Sequence, residues 1–210
     1  MDKIDNLFEI VHAAYFGIIG VIIFVIGLIP AILAYPEFNF FSTPISNLGE
    51  PSSNDLWLYF DILWFITGIF MIFFIIGFTR YLQKKGLPVQ DTWIVCVFGV
   101  LSAIGILGLS TFNAEDAYPM HFISELLFFF TGILYLFSYA YLEYKSSDFP
   151  LWQAVFNLIV ALFFVLYLIL LIINRVDETL AIEFKSLAEW LFLFSNLIWF
   201  IENGVYMLNR

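Results

Sequence analysis

One short segment of the chain combines side chains that can do chemistry with surroundings that are strongly apolar. The stretch STFNAEDAYPMHFISELLFFF, residues 110–130, contains one of only two histidines, His121, and Glu125 follows it four residues later at the start of an aromatic run. Residues four apart lie on the same face of an α-helix. The pair can therefore point into one cavity, where Glu125 orients or charges the imidazole and His121 acts as a general base.

Further polar residues are expected close to this pair or at membrane depth. Ionisable side chains inside a membrane span cost roughly 2.5 to 3.5 kcal/mol on insertion scales, so they should face the interior of the protein and are site candidates by default. At 1.5 Å per residue, Asp61 and Glu125 lie roughly 8 to 9 Å inside their helices. The candidate catalytic residues are His121, Glu125, Ser46 and Asp61, and the candidate substrate-binding residues are Asn47, Ser110, Asn113 and Glu189.

Each candidate also has a purely structural interpretation. Glu189 can complete a helix-capping box with Ser186. Glu202 lies near enough to a helix end to extend its carboxylate into water, and Asp61 can reach water at the opposite end. A zinc site needs three or four converging ligands, and only one histidine is available here. Carboxylates could complete a set with His121, but the spacing does not predict one, and the sequence leaves open whether a metal or cofactor binds. Ser46 or Ser110 could serve as a nucleophile, but neither lies in a recognised nucleophile motif.

The elements that must position these residues are membrane helices. Hydrophobic residues make up 62% of the 210 residues and charged residues only 12%, against roughly a quarter charged in a soluble domain. Apolar stretches of about 20 residues can cross the hydrocarbon core of a bilayer as helices, and the runs lack the alternation of a β-barrel. The sequence predicts one all-α domain, residues 1–210, with six spans at residues 13–34, 56–78, 93–109, 120–141, 151–173 and 187–208.

The distribution of charge predicts the orientation of the bundle. Lysine and arginine concentrate in loops that stay cytoplasmic, and only Arg175 and Lys185 fall on the side opposite the other six basic residues. Both termini are therefore expected in the cytoplasm, and the exterior face is expected to be acidic. An acidic protein with a net charge of −10 is a poor partner for nucleic acid. The expected partners are membrane lipids, with a homo-oligomer or a membrane partner protein left open.

The first exterior connection, YPEFNFFSTPISNLGEPSSND, is longer than a simple link between two helices requires. Loops of this kind are often functional. Phe38, Phe40 and Phe41 could anchor it at the membrane interface. We expect this loop to cover a polar cavity in the exterior half of the bundle.

Two segments resemble a known family. PISNLGEPSSNDLWLYF and GLSTFNAEDAYPMHFISELLFFFTG are similar to the prokaryotic six-helix membrane family catalogued as the domain of unknown function number 998. That family is distantly similar to the DRAM autophagy modulators and to membrane proteins that remodel GPI-anchor lipids. The chain differs from the family pattern at Asn47, where an acidic residue is common, and at residues 111–113, where Phe-Pro is common. The matching positions are Ile45, Ser46, Leu48, Gly49, Gly108 and His121.

The resemblance and the residues together give three functional hypotheses. The resemblance implies a lipid-associated protein of a prokaryotic plasma membrane, and the residues add a polar cavity in which a lipid acyl group or headgroup could be hydrolysed or transferred. The alternatives are a proton- or cation-coupled transporter that uses Glu125, Asp61 and Glu202, and a noncatalytic membrane partner subunit. The sequence alone does not decide whether the protein is an enzyme.

Overall fold

Six long α-helices make up most of the protein. The computed structural model describes residue 8, residues 11–176 and residues 182–209, and it describes no side chain at residues 175, 176, 182 and 183. Within these residues there is no β-strand. The helices are α1 (Ala13–Ala34), α2 (Trp57–Lys84), α3 (Val89–Leu109), α4 (Tyr118–Lys145), α5 (Leu151–Val176) and α6 (Ile182–Leu208), with a 3₁₀ helix at Ser46–Gly49.

All six described helices are long and apolar enough to cross a membrane. Backbone groups in hydrocarbon have no water to bond, so each spanning segment must satisfy its own hydrogen bonds as a helix. The protein is therefore a multi-pass integral membrane protein. We call the end that carries residues 35–56 and 110–117 the loop end, and the end that carries residues 85–88 and 146–150 the terminal end.

The helices form a closed ring. Each helix packs against the next one in the chain, and α6 packs back against α1. Large aromatic side chains of α2, α4 and α6 fill the centre, where Trp199 is fully buried. Its ring lies 6.0 Å from that of Phe74 on α2 and 5.6 Å from that of Tyr135 on α4, measured between centroids. Such edge-to-face aromatic contacts stabilise packing beyond the area they bury.

The helices α3 and α4 approach each other more closely than most side chains would permit. A Cβ atom on Gly105 would lie 2.6 Å from the backbone nitrogen of Phe128, and one on Gly108 would collide with the side chain of Ser124. Ser102, one turn before Gly105, donates a hydrogen bond to the Phe128 carbonyl at 2.9 Å. Small residues that permit backbone contact are a common means of helix association in membranes. This contact fixes His121 and Glu125 of α4 relative to α3.

The predicted spans match the helices closely at some ends and fall short at others. The first span, residues 13–34, has the predicted bounds, whereas α2 continues to Lys84, α3 already begins at Val89 and α4 continues to Lys145. Hydropathy marks only the part of a helix that lies in hydrocarbon, and polar residues such as Arg80 and Gln83 extend the helix beyond it. The orientation argument also uses Lys3, Arg175, Asp177, Glu178, Glu183 and Arg210, which lie outside the described residues or side chains.

The contact at Gly105 gives a test of this packing. A Gly105→Leu substitution should lower the melting temperature of the detergent-purified protein, because the new side chain meets the backbone of Phe128. Overpacking of this kind typically costs about 1 to 3 kcal/mol. Ile104→Leu is the matched control, since Ile104 lies on the same helix and is 43% exposed towards lipid. An unchanged melting temperature in Gly105→Leu would contradict the close approach of α3 and α4.

Candidate functional site

The first loop, residues 35–56, is held in place by buried hydrogen bonds at both sides of the bundle. Asn54, which is 2% exposed, donates to the Ala31 carbonyl of α1 at 3.0 Å and to the Leu48 carbonyl at 3.1 Å. On the other side, Trp190 Nε1 of α6 donates to the Thr43 carbonyl at 3.0 Å. The loop is therefore an ordered cover over the loop end and joins α1 to α6.

The three phenylalanines of the first loop were expected to anchor it at the membrane interface, but they do not all have that role. The Phe38 and Phe40 rings pack edge-on against Trp190, with centroids 5.6 and 4.9 Å away. Phe41 remains 58% exposed. Two of the three phenylalanines thus fasten the loop to α6, and the exposed surface of Phe41, like that of Phe40, which is 43% exposed, is free for contact with lipid.

An enclosed cavity lies beneath this loop, and it brings together four of the eight predicted site residues. Ser46, His121, Glu125 and Glu189 line it, together with the hydroxyl-bearing Tyr167 of α5. The space that water can occupy is about 20 Å³, which is enough for a single water molecule. The rest of the lining is apolar and consists of Ile45, Trp64, Leu109, Phe128, Phe129, Phe192 and Leu193.

The imidazole of His121 is oriented by a backbone carbonyl. Its Nδ1 lies 2.7 Å from the carbonyl oxygen of Phe112, and the residue is 7% exposed. Because a carbonyl oxygen can only accept, Nδ1 must carry the hydrogen, and in the neutral ring Nε2 is then the basic atom. The sequence assigned the orienting role to Glu125, but in this structure the Phe112 carbonyl performs it. A histidine held by one nitrogen and basic at the other is suited to general-base work.

Glu125 is instead paired with a residue that the sequence analysis missed. The hydroxyl of Tyr167 on α5 donates to Glu125 Oε1 at 2.5 Å, and both residues are buried. A hydrogen bond from a neutral donor to a buried carboxylate offsets part of the cost of burying the charge. A tyrosine in the middle of an apolar helix gives no signal in the sequence, because hydropathy treats it as another aromatic residue.

Glu189 faces the start of the 3₁₀ helix in the first loop. The backbone N–H groups of Ile45 and Ser46 are directed at its carboxylate, and the charges of Lys185 and Glu125 act on it. The first N–H groups of a helix have no partner within the helix, so a carboxylate there satisfies them. The predicted capping box is wrong, because α6 already begins at Ile182 and Ser186 donates to the Phe40 carbonyl at 3.4 Å.

Two of the remaining candidates lie beside the cavity and not in its lining. Asp61 is 7% exposed and is in direct contact with Gly49, where a Cβ atom would collide with the carboxylate. Only glycine permits the loop to approach Asp61 this closely. Asn47 donates weakly to the Tyr35 hydroxyl at 3.5 Å. Asp61 therefore belongs to the contact between the first loop and α2, whereas Asn47 bonds within the loop.

The candidates from the connection between α3 and α4 bond within their own segment. The Ser110 hydroxyl donates to the Ile106 and Leu107 carbonyls of its helix at 3.0 and 3.1 Å. Asn113 accepts from the Asp116 backbone N–H at 2.8 Å and donates to its side chain at 3.1 Å. These contacts shape the short turn that presents the Phe112 carbonyl to His121. Neither side chain lines the cavity, so Ser46 is the one candidate serine in the lining.

Glu50 is a second residue that the sequence analysis overlooked. It follows the 3₁₀ helix and lies within electrostatic range of His121. Burial raises the pKa of the Glu50 carboxyl group above its ordinary value of 4.5. A hydrogen bond from Ser53 lowers this pKa, the negative charge of Glu115 raises it, and a positive charge on His121 lowers it. The sequence analysis counted Glu50 only as part of an acidic surface, because its depth depends on the course of the loop.

A separate polar cluster lies at the terminal end. Asn157 of α5 donates to Glu143 Oε2 of α4 at 2.6 Å and accepts from the indole N–H of Trp199. One turn earlier on α5, Gln153 donates to Glu202 Oε1 at 2.9 Å. Glu143 is 1% exposed, although the sequence analysis placed it beyond the end of its span. We call these five residues the inner cluster.

An aromatic layer separates the cavity from the inner cluster. Phe128, Phe129 and Tyr167 pack against Phe164 and Phe192, with ring centroids 4.3 to 5.9 Å apart. Below this layer, Tyr135 donates to Asn196 at 3.3 Å, beside a space of about 10 Å³. The two polar regions are therefore divided by apolar rings. Among the residues described, no group of three or more His, Cys, Asp or Glu side chains is placed to hold a metal ion.

Comparison with known proteins places the chain in a family. The family model described as "Protein of unknown function (DUF998)" matches residues 18–205. The chain belongs to this family. The match extends into all six helices and includes every cavity-lining residue. The resemblance inferred from the sequence is therefore confirmed, while a similarity to DRAM and GPI-remodelling proteins stays a prediction. No curated protein and no solved structure matches the chain.

The raised pKa of Glu50 predicts a specific dependence of stability on pH. A carboxyl group whose pKa is higher in the folded state stabilises the fold when protonated, and this contribution is lost as the pH rises above its ordinary value of 4.5. Relative to the wild type, Glu50→Gln should therefore gain melting temperature between pH 4 and pH 7. Glu37→Gln, an exposed position in the same loop, is the control. A difference in melting temperature between Glu50→Gln and the wild type that does not change with pH would refute the burial of Glu50.

Proposed function

We propose that the protein is a membrane enzyme that hydrolyses or transfers an acyl group or headgroup of a lipid within the half of the bilayer next to the loop end. The observation that carries this proposal is the His121 imidazole, which is buried in one cavity with Ser46 while its Nε2 has no hydrogen-bond partner among the described residues. A basic nitrogen, a hydroxyl group and two carboxylates under an ordered cover form a reactive site.

The arrangement supports a general-base reaction. The hydroxyl of Ser46, or a water molecule in the cavity, would attack the carbonyl or phosphoryl centre of the lipid while Nε2 of His121 takes its proton. The imidazolium would then return that proton to the oxygen of the leaving alcohol. The Phe112 carbonyl holds Nδ1–H throughout, and the negative charge of Glu125 stabilises the imidazolium. Glu125 is thus assigned a charge-stabilising role.

A lipid can enter only if the cover moves. The cavity admits about one water molecule in this structure, so a substrate would displace the first loop or the side chains beneath it. The loop is seated on α6 through Trp190 and Glu189, and these contacts would be the ones to open. Lids of this kind exclude water from a reaction and open on microsecond to millisecond timescales.

The orientation in the membrane is part of the proposal. Lys84, Lys85 and Lys145 lie at the terminal end, and basic residues favour the cytoplasmic side. The loop end would then face the exterior with its acidic residues, both chain termini would be cytoplasmic, and the membrane would be a prokaryotic plasma membrane. A homo-oligomer or a membrane partner protein stays a prediction.

Proton- or cation-coupled transport is the second candidate function, and the inner cluster is the observation that favours it. Glu143 and Glu202 put two carboxylates at the terminal end, opposite Glu125 at the loop end. Ionisable groups at several depths are typical of a transport path. Against this, the aromatic layer separates the two regions. Transport therefore requires a second conformation in which these rings part, and we rank it below lipid chemistry.

The test of the proposed activity begins with the basic histidine. Purified protein in liposomes should convert a phospholipid or acylated lipid to products detectable by mass spectrometry, and His121→Ala should lower the rate by roughly 10² to 10⁴-fold, the range of general-base catalysis. His12→Asn is the matched control, because it changes the other histidine and retains an acceptor for the Ala14 N–H that His12 caps. Ser46→Ala should lower the rate as much if serine, and not water, is the nucleophile.

Three outcomes would contradict the proposal. Turnover unchanged in His121→Ala would remove the general base. Ion flux through wild-type liposomes that is lost in Glu125→Gln, without lipid turnover, would establish the transporter instead. Wild-type protein that shows neither activity and is isolated with a second membrane protein would identify a noncatalytic partner subunit.

A further inference from the structure

Two concave surfaces on the outside of the bundle meet at the terminal end, far from the cavity under the first loop. The first is about 460 Å³ in volume, and Ile94, Phe137, Ser138 and Tyr141 are among its lining residues. The second is about 400 Å³, and Lys85 and Lys145 are among its lining residues. Both share Asp91 and Leu142. We call the combined surface, between α3 and α4, the lateral groove.

The lateral groove is apolar at one end and charged at the other, as a lipid molecule is. On α4, Phe137, Tyr141 and Lys145 follow one another at four-residue spacing, so they form one stripe from the apolar to the charged part. Phe137 and Tyr141 are 40% and 54% exposed. In a bilayer such exposed side chains face hydrocarbon, and a concave surface among them is filled by an acyl chain because no void remains there.

The charged part of the groove is suited to a phosphate group. Lys145 Nζ lies over the Tyr141 ring, 4.3 Å from its centroid, which places the ammonium group where the two concave surfaces join. Lys85 lies at the opposite wall, and the side chains of Ser146 and Ser147 add hydroxyl groups. Beside them, Gly86 has φ +83° and open space where a Cβ would stand. The turn therefore leaves open space next to Lys85, in the part of the groove that Lys145 also lines.

The net charge of the groove selects the kind of headgroup. Lys85 and Lys145 contribute two positive charges and Asp91 one negative charge, so the groove carries one net positive charge. A lipid with one negative charge balances it, whereas a zwitterionic lipid does not. We propose that the lateral groove binds one anionic glycerophospholipid, with an acyl chain along α4 and the phosphate between Lys85 and Lys145. Its total volume lies in the range of ligand pockets.

Native mass spectrometry of the full-length protein tests this site directly. Detergent-purified protein is mixed with equal amounts of dioleoyl-phosphatidylglycerol and dioleoyl-phosphatidylcholine, and the lipid that remains bound is counted. We expect one molecule of phosphatidylglycerol per chain to remain bound in preference to phosphatidylcholine. The double variant Lys85→Gln/Lys145→Gln should lower its apparent affinity roughly 30-fold, since each basic residue near an anionic lipid contributes about fivefold.

Three matched variants separate the groove from general surface charge. Lys84→Gln removes the neighbouring exposed lysine, which does not line the groove, and should change affinity less than twofold. Lys85→Arg/Lys145→Arg keeps the charge and should keep the lipid. Ser138→Phe fills the acyl part without altering charge and should lower retention at least fivefold. All four variants change half-buried or exposed positions, and circular dichroism confirms their helicity.

The outcomes either support or overturn the site. Preferential phosphatidylglycerol binding that is lost in the double glutamine variant and in Ser138→Phe supports it. Equal retention of phosphatidylcholine, an effect of Lys84→Gln as large as that of the double variant, or full retention in Ser138→Phe overturns it. None of these measurements depends on lipid turnover at His121, so the proposed activity and this site can fail separately.

Discussion

The structure depends on one constraint, which is that a polar group inside a bilayer must find its partner within the protein. Hydrocarbon offers no hydrogen bonds, and an unpartnered buried polar group costs several kcal/mol. The ionisable side chains at depth are therefore turned inward. Glu125 bonds to Tyr167, Glu143 bonds to Asn157, and Glu202 bonds to Gln153. All three donors lie on α5, a helix with no charged residue in its described side chains, so α5 supplies neutral donors to the carboxylates of its two neighbours.

The same constraint explains why the polar residues form two separate groups. Polar side chains that lie together can hydrogen-bond to one another, which lowers the free-energy cost of burying them. The apolar rings between the two groups are stabilised by close packing against each other. The result is a polar cavity at the loop end, an aromatic layer, and the inner cluster at the terminal end. A layered interior of this kind holds His121 and Glu125 in fixed positions, as the proposed general-base reaction requires, and it opposes the passage of water between the two ends.

Much of the fold could be predicted from the sequence, because the length and hydropathy of a span follow directly from the thickness of the membrane. The sequence did not predict where α2 and α4 end or where α3 begins, since a helix continues into water wherever its backbone hydrogen bonds can form. Within the site, the shared face of His121 and Glu125 followed from helical spacing. The role of the Phe112 carbonyl did not, because backbone atoms leave no mark in a sequence. Tyr167 was missed because its role as a hydrogen-bond donor depends on which helix lies opposite it. Glu50 was missed because its burial depends on the path of the loop.

The closure of the ring by α6 has a consequence for how the protein is made. A ribosome delivers the helices in chain order, and α6 follows the other five. Until then Phe74, Phe78, Tyr135 and Tyr139 lack their contacts with Trp199, and Thr43 in the first loop lacks its bond from Trp190. The first five helices can enter the bilayer during synthesis, but neither the aromatic centre nor the cover over the cavity can be completed before α6 has left the translocon.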